Sequence, residues 1–199
     1  LPPESQPATG LRERKKAKTR AAIQHEALRL FREHGYEATT VEQIAQAAEV
    51  AVSTLFRYFP AKEELVLTDT YDPLIIDAIR AEPPALDPVG AVRAGLKSIF
   101  AAISQEELAD LRERATLAVT IPELRAAMLD RFADTMRQIS GLVAERAGLD
   151  VDDFEAHALA GAMVGVMIAA ELYWVDHPGS DLFALLDDAL ARLGSGRSS

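Results

Sequence analysis

Residues 39–62 read TTVEQIAQAAEVAVSTLFRYFPAK. Thr40-Val41-Glu42-Gln43 has the order of a capping box, with Gln43 at the third helical position. It predicts a helix over Val41 to Ala47 that buries Val41, Ile44, Ala45 and the following Ala48. Ala48-Glu49-Val50 reads as a tight turn. A second helix follows from about Val52 to Phe59, with Val52, Leu55, Phe56 and Phe59 on one side. Ser53, Thr54 and Arg57 lie on the other, with Tyr58 at the border. Pro60 ends it and Lys62 opens the next helix. Two short amphipathic helices joined by a tight turn form the layout of a helix-turn-helix, whose second helix enters the DNA major groove.

The flanks fit that expectation. Upstream lies LRERKKAKTR, residues 11–20, in which Arg12, Arg14, Lys15, Lys16, Lys18 and Arg20 oppose only Glu13. The net charge of −10 argues against a polyanionic partner until its distribution is considered. Residues 1–66 carry ten Lys/Arg and nine Asp/Glu, for +1, and residues 67–199 carry eleven and twenty-two, for −11. A basic arm on a near-neutral end and a solvated acidic body suit a protein that meets DNA with one end. Between arm and motif, Ile23, Ala27, Leu30, Phe31 and His34 recur at helical spacing, predicting a helix from Lys16 to His34 closed by Gly35. Residues 1–10, LPPESQPATG, read as a disordered leader without the apolar run of a secretory signal.

Beyond residue 66 every periodic segment is helical. Pro73 is expected to kink or split the helix that begins near Lys62. Asp87-Pro88 caps a helix to about Ile103, and the capping box Ser104 to Glu107 starts one ending near Val119. Pro122 starts a helix that ends at Gly148. Asp150 or Asp152 caps a further helix to about Val175, and Ser180 caps the last, from Asp181 to Leu193. The expectation is an all-α protein of about nine helices: a leader over 1–10, a DNA-binding domain over 11–66, a larger domain over 67–194, and a disordered tail over 195–199. Residues 158–170, ALAGAMVGVMIAA, span only about 20 Å as a helix, too short for a bilayer, so a buried helix is expected.

The chain contains no cysteine, which excludes disulfides and thiolate chemistry and fits a reducing cytoplasm. Asp153 and His157 stand four apart, but one such pair falls short of a metal site. Neither a glycine-rich phosphate loop nor a GxSxG motif is present, and no cofactor or enzyme activity is expected.

The stretch from about 14 to 65 resembles the tetracycline-repressor (TetR) family of bacterial regulators. The resemblance rests on Phe31-x-x-x-Gly35-Tyr36, Thr39-Thr40-Val41, Ile44-Ala45, Ala48-x-Val50 and Thr54-Leu55-Phe56-Arg57-Tyr58-Phe59-x-x-Lys62. Two positions depart from it: Glu49 replaces the usual turn glycine, and Ala51 replaces a Ser/Thr cap. The resemblance implies a homodimer on a palindromic operator, with a small-molecule pocket and dimer interface in the C-terminal domain. The C-terminal half is similar to an actinobacterial subgroup beside mycofactocin genes, some of which answer to acyl-coenzyme A thioesters. It implies a small hydrophobic or amphipathic effector, while the short apolar run leaves no membrane partner expected.

Tyr58, Lys62 and Thr40 are candidate phosphate contacts, which set register without reading sequence. Ser53, Thr54 and Arg57 are candidate base readers, and Lys16 and Arg20 lead the basic arm. Candidate pocket residues are Phe100, Met128, Phe132, Met136, Met163, Met167, Tyr173 and Trp174, most of which will also suit ordinary core. Gly161, Gly165 and Ala169, spaced by four, allow close approach of another helix. By the resemblance they form a dimer interface together with Leu182, Leu186 and Leu190. Two alternatives stay open: an architectural DNA binder without an effector pocket, and an enzyme or lipid-binding module with a vestigial helix-turn-helix.

Overall fold

The computed structural model describes residues 8–68 and 72–195. These form ten α-helices: α1 Ala8–His34, α2 Val41–Ala47, α3 Val52–Tyr58, α4 Glu64–Leu67, α5 Asp72–Ala81, α6 Pro88–Phe100, α7 Gln105–Thr120, α8 Pro122–Ala147, α9 Phe154–Asp176 and α10 Leu182–Ser195. No strand occurs among the described residues. The chain divides into two compact units, Leu1–Thr68 and Asp69–Ser199.

In the first unit α1 packs on α2 and α4, and α2 packs on α3. Its core gathers Ile23, Ala27 and Phe31 of α1, Ile44 of α2, Leu55 and Phe59 of the α3 stretch, and Leu65 of α4. Each buried Ile, Leu or Phe side chain contributes about 1.5–3 kcal/mol relative to an exposed one. Helix α1 begins at Ala8 rather than near Lys16, taking in residues 8–10 of the expected leader; residues 1–7 lie outside the description. The extension consists largely of Ala, Leu, Arg, Lys and Glu, all good helix formers. Where one helix from Lys62 was expected to kink or split, α4 ends at Leu67 and α5 begins at Asp72, which makes ten helices rather than about nine.

In the second unit α8 and α9 pack side by side, flanked by α7, while α10 lies against α6 and α9 and α5 against α6. The larger core cluster includes Ile79, Val92, Leu96, Ile139, Val143, Met163 and Leu190. A second cluster surrounds Trp174 with Ala115, Ala170, Leu182 and Leu186. The approach of α5 to α6 depends on Gly95: a Cβ there would lie 2.7 Å from Ile79 Cγ1 and 2.9 Å from Ile79 N.

The caps at Asp87 and Ser104 and the Gly148 terminus form as the sequence predicts. Two caps shift. Helix α9 is capped by Asp153, which accepts from Glu155 N at 2.8 Å, rather than by Asp150 or Asp152. At α10, Asp181 Oδ1 accepts from Ala184 N at 3.1 Å, while the Ser180 hydroxyl donates to His177 O. The last helix therefore starts at Leu182 and runs to Ser195, the first residue of the expected tail.

Helix α9 is 23 residues long and, by length and composition, apolar enough to cross a bilayer. The length argument made on residues 158–170 therefore does not hold for the whole helix. Ala156, Ala160, Met163, Val164 and Trp174 pack into the second unit, and 33% of its most apolar stretch is buried.

Candidate nucleic-acid interface

Thr40 builds the entry to the motif: its Oγ1 accepts from Gln43 N at 3.3 Å, and Gln43 Oε1 accepts from Thr40 N at 2.8 Å. Thr39, buried beside it, donates to Gly35 O at 2.8 Å and Leu30 O at 3.2 Å, fastening the loop to the end of α1. The α2–α3 turn is a Schellman motif: Val50 N donates to Ala45 O at 2.9 Å and Glu49 N to Gln46 O at 3.1 Å. Its left-handed residue is Glu49, at φ 55°, the only non-glycine residue with positive φ among those described. Helix α3 starts at Ala51 without a side-chain cap. Both departures from the family pattern thus fall where backbone geometry gives them a cost.

Leu55 and Phe59 anchor α3, being fully buried. Ser53, Phe56 and Arg57 are exposed, and Thr54 and Tyr58 half-buried. Phe56 is a correction: expected in the core, it is 43% exposed. The buried stripe of this seven-residue helix is narrow, and Phe56 falls at its edge. Together with Ser53 and Arg57 it gives α3 an exposed face able to meet both base edges and a thymine methyl group. The Arg57 guanidinium lies 5.5 Å from the Tyr58 ring centroid.

Lys62 is more engaged than the sequence suggests. Its Nζ donates to Tyr36 O at 2.5 Å and lies 4.2 Å from the Tyr36 ring centroid. Arg20 is also held inward, its guanidinium 5.1 Å from the Phe59 ring. Lys15, Lys16 and Lys18 are exposed on α1. The side chains of Arg12 and Arg14 lie outside the description.

Among the residues nominated for a pocket, Met163 is buried in the larger core cluster, with Phe132 and Met136 packed against it and Phe100 and Met167 touching both clusters. Trp174 is 1% exposed and stacked under the Arg112 guanidinium at 4.2 Å. Met128 is half-buried, and Tyr173 is exposed and stacked on His177. A surface cavity of about 410 Å³ opens elsewhere, between the start of α6 and the end of α10, lined by Asp87, Pro88, Val89, Gly90, Arg93, Ala191, Gly194 and Ser195. None of the nominated residues lines it. Beside it Arg93 makes a two-pronged ion pair with Asp187, at 2.7 and 3.0 Å. The hydrogen bond from Arg93 holds the Asp187 carboxyl below its ordinary value, and that from Asp187 holds Arg93 above its own.

The nominated dimer residues separate. Gly165 and Ala169 are exposed on α9, with open space around Gly165, and Gly161 sits near Met136. Leu182, Leu186 and Leu190 are buried within their own chain, because the apolar stripe of α10 is already covered by α6 and α9. His157 Nδ1 lies 3.0 Å from Asp153 O, a local backbone contact, and no group of three or more potential metal ligands occurs among the described residues.

Residues 23–68 match the profile of the family described as "Bacterial regulatory proteins, tetR family", and residues 86–198 match the "MftR C-terminal domain". The chain is 33% identical over 184 residues to the HTH-type transcriptional regulator TcmR of Streptomyces glaucescens, covering 88% of this chain and 81% of that protein. It is 30% identical over 188 residues to the putative mycofactocin biosynthesis transcriptional regulator MftR of Mycobacterium tuberculosis H37Rv, covering 92% and 93%. Thermus thermophilus FadR, a TetR-family repressor solved with lauroyl-CoA, shares the fold at TM-score 0.57 and 24% identity, over 90% of this chain and 95% of that one. The SmeT–triclosan complex does so at TM-score 0.59 and 21% identity, over 88% and 91%. With a capped helix-turn-helix in its first unit and an MftR-type helical body in its second, this chain belongs to the TetR family of DNA-binding transcriptional regulators.

Proposed function

We propose that the protein acts in the cytoplasm as a repressor that binds a palindromic operator as a homodimer and releases it when a small hydrophobic or amphipathic effector binds the second unit. The observation that carries the DNA-reading part is the exposed face of α3, Ser53, Phe56 and Arg57, held outward by buried Leu55 and Phe59. Arg57 suits guanine, Phe56 a thymine methyl, and Ser53 and Thr54 either polar edge. Thr40, Tyr58, Lys62, Lys16 and Arg20 supply phosphate contacts along the groove. Lys62 reaches a phosphate with the two ammonium protons that Tyr36 O leaves available.

An acyl-coenzyme A thioester is the first effector to test. Its support is the lauroyl-CoA held by the fold neighbour FadR. For the dimer, α9 supports self-association with an exposed row of Ala158, Ala162, Gly165, Ala169 and Leu172. Small residues in such a row let a second helix approach closely. Substituting Gly165→Leu is expected to lower the dimer fraction in light scattering, and an unaltered mass would reject this face.

Selection of bound duplexes from a random-sequence pool tests the DNA reading. A two-fold symmetric sequence is expected, bound with a steep salt dependence. Addition of lauroyl-CoA is then expected to release the selected duplex. Failure to enrich any sequence would sink the specific-regulator reading. Enrichment without release by any acyl-CoA would favour the effector-independent alternative.

A further inference from the structure

The surface cavity of the second unit lies between the start of one helix and the end of another. Asp87, Gly90 and Arg93 line it from α6, and Ala191 and Gly194 from α10. Asp87 caps α6 with one oxygen only. Its Oδ1 accepts from Val89 N at 3.0 Å and from Gly90 N at 3.1 Å, while Oδ2 accepts no hydrogen bond among the described residues. Gly90 keeps that second oxygen open, since a Cβ there would lie 3.0 Å from it. Glycine is a poor helix former, and here its missing side chain leaves a carboxylate uncovered. On the other wall α10 ends at Ser195. The last carbonyls of a helix have no partner within it and carry the negative end of its dipole. The Ser195 hydroxyl occupies one of them, Arg192 O, at 2.9 Å.

Arg93 is the lining residue of opposite sign, and its charge is already balanced. Its Nε and Nη2 donate to the two Asp187 oxygens, and Asp188 and Asp87 also act on it. Lys97 lies within electrostatic reach of Asp187. Arg192 is exposed and does not line the cavity. Carboxylates therefore outnumber cations around this opening, while Pro88, Val89 and Ala191 give it an apolar surface. Its volume of about 410 Å³ falls in the lower part of the range of small-molecule pockets, roughly 300–1,000 Å³. We infer that the cavity binds a primary ammonium carried on a compact apolar body, the ammonium donating to Asp87 Oδ2 and to the last carbonyls of α10. An ammonium has three donors and no acceptor, which suits a free carboxylate oxygen beside a helix C-terminus. A carboxylate or phosphate would meet Asp87 with like charge. The site is separate from the core around Trp174, so it adds a second ligand class and stands whether or not an acyl-coenzyme A binds.

The test is an amide chemical-shift titration of the isotope-labelled full chain with benzylammonium, with neutral benzyl alcohol and anionic benzoate as controls of similar shape. Benzylammonium is expected to shift the Gly90 and Gly194 amides and to saturate. Benzyl alcohol should bind roughly tenfold more weakly or worse, the loss expected for one charge-assisted hydrogen bond, and benzoate should shift neither amide. Asp87→Asn keeps the cap, because asparagine caps a helix as well as aspartate does, and removes the charge. It should weaken benzylammonium about tenfold and leave benzyl alcohol unchanged. Ala191→Leu, which fills the cavity from α10 and leaves the cap untouched, should abolish binding of both. Three results overturn the inference: no saturable shift at Gly90 and Gly194, equal affinity for benzyl alcohol, or undiminished binding to either variant. Shifts confined to the residues around Trp174 also overturn it, because they place the cation in the core instead.

Discussion

Replacing Glu49 by glycine is expected to stabilise the DNA-binding unit. Glu49 sits at φ 55° in the turn between α2 and α3. There the backbone must be left-handed for Val50 N to reach Ala45 O and Glu49 N to reach Gln46 O. An L-residue in that conformation costs about 1–2 kcal/mol. Glycine removes the strain but brings a looser unfolded chain, which returns about 0.5–1 kcal/mol. The net gain is about 0.5–1 kcal/mol. The Glu49 side chain is exposed, so little packing is lost with it. Glu49→Ala is the control: it removes the same side chain and keeps the strain, so it should leave stability near that of the parent. Thermal unfolding followed by circular dichroism should place the glycine variant above the alanine variant by about 1–4 °C for a chain of this size. The Val50 amide should exchange more slowly in glycine than in alanine. An alanine variant as stable as the glycine variant would show that the strain is no larger than the chain-entropy cost of glycine, about 0.5–1 kcal/mol, and the expected gain at 49 would fall.

Three further outcomes are expected. Gly95→Ala pushes a methyl group into the Ile79 backbone; overpacking of about 1–3 kcal/mol exceeds the ~1 kcal/mol that alanine gains in helix propensity, so denaturant unfolding should show a loss. Gly141→Ala, with open space around it, should show a gain, and equal signs for the two would refute the close approach of α5 and α6. Lys62→Met should both lower the melting temperature, by removing the bond to Tyr36 O, and reduce the salt slope of DNA binding by about one; a lower melting temperature with an unchanged slope would confine Lys62 to the fold. The Arg93–Asp187 pair stabilises the second unit fully above the ordinary Asp value near 3.8, and its contribution is lost as pH falls below that through the depressed folded value. Because both groups are about one-third exposed, the effect is below about 1 kcal/mol. Asp187→Asn should therefore lower stability at pH 7 yet match the parent near pH 2 in urea titrations, and a constant difference across that range would contradict it.

What could be read from the sequence was what the chain decides locally. Thr40, Asp87, Ser104 and Gly148 each lie within a few residues of the backbone groups they serve, so their order alone announces the caps. Asp153 and Asp181 were harder, because Asp150, Asp152 and Ser180 compete nearby and the choice depends on backbone angles that no pattern states. Gln24, which donates to Leu65 O, Arg146, which donates to Ile79 O, and the Arg93–Asp187 pair were silent for a different reason: their partners lie between 41 and 94 positions away, and most are carbonyl oxygens that every residue carries. Phe56 marks the limit of a two-class pattern, since an apolar residue on a recognition helix serves DNA as readily as a core. The same limit applies to Leu182, Leu186 and Leu190, which pack within their own chain, for an apolar stripe does not say whether its cover is its own chain or another.

The protein contains one tryptophan, and its position makes it an internal optical label. Trp174 lies in the second unit, almost wholly enclosed, with a guanidinium stacked against its indole. Its emission reports on the second unit, while the first unit, whose aromatic chromophores include Tyr36 and Tyr58 but no tryptophan, is followed by backbone spectroscopy. Fluorescence and circular dichroism recorded on one sample therefore resolve the melting of the two units without any dye, tag or truncation. A molecule that enters the core around Trp174 would announce itself by quenching or a spectral shift before any operator is known.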